Sequence, residues 1–336
     1  MKRSSIKEME EKNMAVAYLD LLGASQLLEL PAEVKSDNEN LIYNVINTRY
    51  VDGLFHQVEE NKEMDLDEIQ FWEHAKKNRG NSFIYKYKRN AWWLLGSYDL
   101  DLFVNQVSNL MATCYISSSE PFRKKFEDLF DVNSNKNMSK ALSGFRFHKA
   151  FPVLLRGGLA LCIRAYSLEE FINKYGQSSD KGYEEFVETY MPTVSGEYTE
   201  KGPRLFCDKA VSDNLKDKKL LRVVNESEEL YEIVWTIEAC EDGGYSKDKW
   251  RNIQTSIEET MLPAAINFVL YYNSNQKFKE VLPQYKELLK LVCRGIVRYA
   301  DINCNKAEEA LQLINKELNK DGLDSYEKAE LLEGFF

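Results

Sequence analysis

The chain has 336 residues, 44% of them hydrophobic and 29% charged, with a formal net charge of −10. That is enough apolar material for a sizeable core, which excludes wholesale disorder, and the acidic balance excludes nucleic-acid binding through a general positive field. Cys114, Cys162, Cys207, Cys240, Cys293 and Cys304 are scattered without a Cys-x-x-Cys pair, and only 3 histidines accompany them, which argues against a zinc site or a disulfide framework. No apolar run approaches the ~20 residues of a membrane span, and the first residues carry no apolar signal region. The expectation is a soluble, cytoplasmic protein with reduced thiols, made of one large domain and an appended part.

In chain order, the first informative stretch is 15–25. Ala-Val-Ala-Tyr-Leu reads as a strand buried on both faces, and it ends on Asp20, followed by a Leu-Leu-Gly turn and Ser25. A carboxylate in such a run is costly unless paired, hydrogen-bonded or metal-bound, and Gly23 would let backbone approach a ligand closely. The plain alternative is an Asp that starts a turn and caps the next helix. Helical spacing follows over 25–30 and 40–60, and the charged segment 61–81 reads as a helical or looped connection. Residues 82–95 read as a hairpin with Arg89 and Asn90 at the bend. From Tyr98 onward, Phe103, Val107, Leu110, Met111, Cys114 and Tyr115 mark the core face of a helix. Segment 117–149 is polar and irregular.

The second informative stretch, 151–163, is a buried strand interrupted by Arg156-Gly157-Gly158. Paired glycines in a strand suggest a bulge or a close backbone approach, and an Arg there needs an anionic partner. Asp20 on a neighbouring strand, or a phosphate, would serve. An acidic helical segment spans 167–190 and a loop 196–204. A brief strand covers 205–207, and 220–224 with 230–235 form a terminal hairpin. Past Gly243-Gly244 the composition becomes all-helical over 250–272, 278–299 and 306–318, so 1–242 is read as an α/β domain and 243–336 as a helical region.

Asp20-Leu21-Leu22-Gly23-Ala24-Ser25, Leu155-Arg156-Gly157-Gly158-Leu159-Ala160 and Gly202-Pro203-Arg204-Leu205 occur in the order of three motifs of the class III nucleotide cyclase catalytic domain. Over residues 14–235 the chain resembles that family, most closely the bacterial pyrimidine cyclases of antiphage defence, the Pycsar type. The resemblance implies an α/β fold, an α+β ferredoxin-like core in which a central, mostly antiparallel sheet is flanked by helices, here with a C-terminal helical extension. It implies a lyase that converts a nucleoside triphosphate, UTP or CTP, into a 3′,5′-cyclic nucleotide and pyrophosphate. Mg2+ or Mn2+ held by two aspartates would stabilise the attacking and leaving oxygens.

Asp20 matches the first of those aspartates. Two registers are open for the second. If the hairpin is 83–95, its bend carries Lys88-Arg89-Asn90 and no carboxylate; if the strand 92–97 leads into the turn, Asp99 (or Asp101) fills the role. An Asp at a helix start is ordinarily an N-cap. The resemblance further implies Arg156 as the catalytic residue that neutralises phosphate or orients Asp20. It implies Leu21, Gly23, Ser25, Arg89 and Asn90 as nucleotide contacts, and a homodimer or a cyclase-fold partner. The alternative is a degenerate cyclase-fold protein acting as a nucleotide sensor or as an inactive subunit or scaffold. No specific nucleic acid and no membrane are expected as partners. His56, His74 and His148 lie far apart and form no triad-like order. The acidic stretch 59–68 fits no EF-hand loop.

Overall fold

The structure is a computed structural model, and it describes residues 14–22, 70–73, 82–87, 92–97, 99–119, 154–162, 201–225, 227, 229–244, 246–274 and 280–320. The helices expected over 25–30, 40–60 and 167–190, the polar segment past Ser119 and the three histidines lie outside them.

Among the described residues, eight strands form one mixed sheet in the order β2-β3-β4-β1-β5-β6-β8-β7. They are β1 Met14–Leu21, β2 Gln70–Glu73, β3 Ser82–Tyr87, β4 Trp92–Ser97, β5 Leu155–Cys162, β6 Leu205–Cys207, β7 Leu221–Asn225 and β8 Leu230–Ile233. Every neighbouring pair is antiparallel except β5 with β6. β1 is central, hydrogen-bonded to β4 on one side and β5 on the other. Val16 and Tyr18 are buried as fully as Ala15, Ala17 and Leu19, as an uninterrupted apolar run requires. The hairpin β3–β4 pairs Tyr87 with Trp92, so its connection is 88–91. β2 is a correction: a strand sits within 61–81, where a helical or looped connection is expected. Its Gln-Phe-Trp-Glu gains its partner only from β3, a tertiary context that local spacing does not report.

The helices among the described residues are α1 Leu100–Ser119, α2 Lys209–Asn214, α3 Thr236–Gly244, α4 Lys249–Glu258, α5 Met261–Ser274, α6 Leu282–Cys304 and α7 Ala307–Lys320. The segment 250–272 is two helices rather than one. Pro263 cannot donate a backbone hydrogen bond and its ring excludes a helical carbonyl four residues back, so the chain breaks at Glu259 and Thr260 before α5 begins. α6 carries Pro at its first turn, where the missing N–H costs nothing, and ends on Asn305 in the left-handed region at φ 54°.

One continuous cluster of buried side chains runs from Ala15, Ala17 and Leu19 through Phe103, Val107 and Tyr115 of α1 to Ile257, Ile266, Leu288, Val292, Ile296 and Leu318 of the C-terminal helices. The expected core face of α1 is buried throughout. Tyr115 Oη donates to the Met261 carbonyl at 2.6 Å, which ties α1 to the start of α5. Gly295 sits where α6 crosses the start of α3: a Cβ there would come within 2.2 Å of Thr236 Oγ1, and that hydroxyl donates to the Leu291 carbonyl at 2.8 Å. The change in composition at 243 falls in the last turn of α3, and the helices beyond it share the core of the sheet. No helix among the described residues is long and apolar enough to cross a membrane.

Candidate functional site

The pairing of β1 fixes where the expected site residues stand. Asp20 is opposite Trp92 on β4 and opposite Arg156 on β5, and Leu21 is opposite Leu155. Asp20 and Arg156 therefore hold directly facing positions in an antiparallel pair, where Cβ atoms lie ~4.5–5.5 Å apart. Tyr87 and Trp92, the two ends of the β3–β4 connection, stand at this same end of the sheet. Gly23, Ser25, Arg89 and Asn90 lie outside the described residues.

Gly157 has a structural reason to be glycine. It pairs with Leu19, and a Cβ on it would fall 1.9 Å from the Tyr18 carbonyl oxygen. Its N–H donates to the Arg204 carbonyl at 2.9 Å, joining β5 to the segment entering β6. Gly157 thus serves a close approach of β5 to β1; the register is continuous from Met14 to Leu21, without a bulge.

Asp99 is not brought to Asp20. Ser97 pairs with Ala15, five positions before Asp20 on β1, so at ~3.4 Å per residue the two ends are about 17 Å apart, and Asp99 lies beyond Ser97. Its exposed side chain instead accepts from the Leu102 N–H at 3.1 Å, the N-cap of α1. Asp101 is also engaged elsewhere: its Oδ1 accepts from the Lys216 N–H at 2.8 Å and the Asp217 N–H at 3.3 Å. Asp20 with Asp99 or Asp101 does not fit a shared two-metal site, whose ions stand ~3.5–4 Å apart. β3 and β4 pair in the register that leaves 88–91, outside the described residues, as their connection. Among the described residues no group of three or more His, Cys, Asp or Glu side chains could hold a metal ion.

The best-defined charged constellation lies three strands further along the sheet. Glu232 on β8, wholly buried, faces Arg222 on β7 and Phe206 on β6. Arg204, 5% exposed, donates from Nε to Glu232 Oε1 at 2.8 Å and from its amino group to Oε2 at 3.1 Å. Arg222 donates from Nε to Oε2 at 2.9 Å, and Arg294 of α6 stands 3.8 Å from the same oxygen. Burial pushes the Glu232 carboxyl up, but the hydrogen bond and charge of Arg204 and the charges of Arg222 and Arg294 outweigh it and hold the group below the usual carboxylate range. The Arg204 guanidinium also lies 4.7 Å from the centre of the Phe206 ring. The motif Gly202-Pro203-Arg204-Leu205 is thus anchored internally, and Trp235 Nε1 donates to the Pro203 carbonyl at 2.6 Å.

Sequence reasoning did not single out Glu232, Arg222 or Arg294. The signal for Glu232 is the one that marks Asp20: a carboxylate inside an apolar strand, here Leu230-Tyr231-Glu232-Ile233-Val234-Trp235. Burial pushes Cys293 up to about 12, and Cys114, Cys207 and Cys240 are raised by burial as well. In comparisons with known proteins, no family model, no curated protein and no solved structure matches this chain.

Proposed function

We propose that this chain is a nucleotide-binding protein of the cyclase type that does not complete cyclisation on its own. The reading combines the resemblance of the three motifs with the order of the sheet. Strands β3-β4-β1-β5, all antiparallel with β1 inside, follow the order of a ferredoxin-like split β-α-β unit, the core on which that family is built. The observation that carries the reading is the register of β1. It favours a phosphate subsite at the Asp20–Arg156 end and leaves Asp99 at the other end of the strand.

Chemically, a guanidinium facing a carboxylate across two strands suits a triphosphate, since Arg offers a planar fork of donors to phosphate oxygens. Arg156 would bind and orient the phosphates, and Asp20 would hold Arg156 in place when no nucleotide is present. A second carboxylate for cyclisation would have to come from a different chain, a cyclase-fold partner. By the resemblance to the Pycsar type, the protein would act in antiphage signalling as a nucleotide sensor or as the inactive member of a pair.

Equilibrium dialysis against each of the four ribonucleoside triphosphates, with Mg2+, tests the binding. Saturable retention of at least one of them is expected, weakened about tenfold or more by Arg156→Gln, the loss of charge-assisted hydrogen bonds. If well-folded protein retains none of the four, the nucleotide reading is wrong and a scaffold role replaces it.

A further inference from the structure

We propose that the segment Gly202-Pro203-Arg204 is a strut that positions the Arg156 end of β5, and that Gln284 of α6 and Trp235 are positioning residues acting on the phosphate subsite through it. The inference rests on the nucleotide reading above and extends the subsite's support into the C-terminal helices.

The strand that this segment feeds is short. β6 has three residues, Leu205–Cys207, and pairs in parallel with Gly157, Gly158 and Leu159 of β5. Three register positions hold few ladder bonds, so the chain just before them decides how firmly β5 is held at its Arg156 end. The link is direct, because the Gly157 N–H donates to the Arg204 carbonyl at 2.9 Å. One register step before Gly157 and Leu205 stand Arg156 and Arg204, on strands ~4.8 Å apart. On its other side Gly157 lies against β1, with no room for a Cβ beside the Tyr18 carbonyl. The backbone next to Arg156 is thus gripped from both sides.

Each residue of the strut is in turn fixed by a group from another part of the fold. The Gly202 N–H donates to the side-chain oxygen of Gln284. Gly202 takes φ 97°, in the left-handed region, and a Cβ there would come within 2.7 Å of Glu287 Cβ, so glycine lets the segment lie this close to α6. The Pro203 carbonyl accepts from the buried Trp235 indole at 2.6 Å. The Arg204 N–H donates to the Gly202 carbonyl at 3.0 Å and closes a tight turn. The Arg204 guanidinium reaches to Glu232 on β8, which lies on the side of β6 away from β5. It is therefore directed away from the neighbouring Arg156 position. A binding group is only as well placed as the shell behind it, and a small displacement of that shell weakens the contact in front.

The test measures triphosphate binding by equilibrium dialysis of the full chain. Wild type, Gln284→Ala, Gln284→Glu and Trp235→Phe are compared, each alone and combined with Arg156→Gln, with circular dichroism at the dialysis temperature to establish folding. Gln284→Ala should weaken binding about fivefold, the loss of one hydrogen bond. Gln284→Glu keeps an oxygen that accepts from the Gly202 N–H, and it should retain wild-type affinity. Trp235→Phe should weaken binding by a similar factor to Gln284→Ala. Gln284 is half-buried in the first turn of α6, so its variants remain informative if Trp235→Phe fails to fold. In the Arg156→Gln background both losses should vanish, because they act through that arginine. A general loss of folded protein would weaken both backgrounds alike. The inference is overturned, with the nucleotide reading intact, if binding depends on Arg156 while Gln284→Ala binds as wild type does or weakens both backgrounds equally. Absence of binding to folded wild type, or binding indifferent to Arg156→Gln, overturns the nucleotide reading and this inference with it.

Discussion

Two places in this sheet set an acidic residue beside an arginine on a neighbouring strand, and they differ in burial. At the β6–β8–β7 end, Glu232 is wholly buried and Arg204 closes on it through both oxygens. At the β1–β5 junction, Asp20 and Arg156 face one another by register, and Arg156 is only half-buried. A buried pair needs its partner because a lone charge out of water is costly. On the proposed reading, a half-buried arginine at a strand end would take a phosphate. The same sequence signal, a charged residue inside an apolar strand, therefore marks an internal anchor in one case and a candidate ligand contact in the other. Burial separates the two.

The largest expected effect breaks the comparison altogether. Truncation after residue 243 removes α4 to α7, whose Ile257, Ile266, Leu288, Val292 and Ile296 lie in the core cluster shared with β1 and α1. The truncated chain is expected to lose cooperative unfolding and to come out of solution; a soluble product with a sharp thermal transition would contradict the shared core. Next comes Glu232→Ala, which leaves Arg204 buried without its carboxylate and should cost about 3–5 kcal/mol in denaturant unfolding. The pH dependence follows from the depressed carboxyl. The contribution of Glu232 to stability is full above the ordinary carboxylate range and is lost as pH falls through its lowered folded value, because the unfolded chain takes up the proton first. Acid titration of the wild type against Glu232→Gln reads that term, and the variant should show a shallower loss.

Gly157→Ala comes third. The added methyl meets the Tyr18 carbonyl at 1.9 Å, so β5 must move from β1, at a cost of about 2–3 kcal/mol seen as a lower unfolding midpoint. Because that shift would also displace Arg156 from Asp20, triphosphate retention should fall with it. Asp99→Ala is the smallest, about 1 kcal/mol from the lost N-cap of α1, with nucleotide retention unchanged. A loss of retention in that variant would place Asp99 in the site after all.

Much of the fold was legible in the sequence where local pattern and tertiary role coincide. The apolar run of β1, the hairpin around 88–91, the core face of α1 and the amphipathic C-terminal helices all follow from spacing. β2 was not legible, since four residues owe their strand to a neighbour. The break between α4 and α5 could have been read from Pro263. Of the expected site, the facing of Asp20 and Arg156 is carried by the register. Asp99 was a genuine ambiguity, because an Asp before a helix reads alike as a ligand and as a cap, and only the pairing of Ser97 with Ala15 tells them apart. Glu232 was missed although its strand carries the signal that singled out Asp20. The partners that explain it, Arg222 and Arg294, are 10 and 62 positions away in sequence, a distance no local pattern spans.

The central claim, that the lone chain binds nucleotide without cyclising it, is tested most directly by incubating purified protein with each of the four ribonucleoside triphosphates and Mg2+ or Mn2+, and resolving the products by mass. Asp20→Ala and Asp99→Ala serve as controls. The account predicts unchanged triphosphate in every reaction of the chain alone. A cyclic monophosphate made by the wild type and lost in Asp20→Ala would contradict it and establish a cyclase; its loss in Asp99→Ala as well would show that the two aspartates meet.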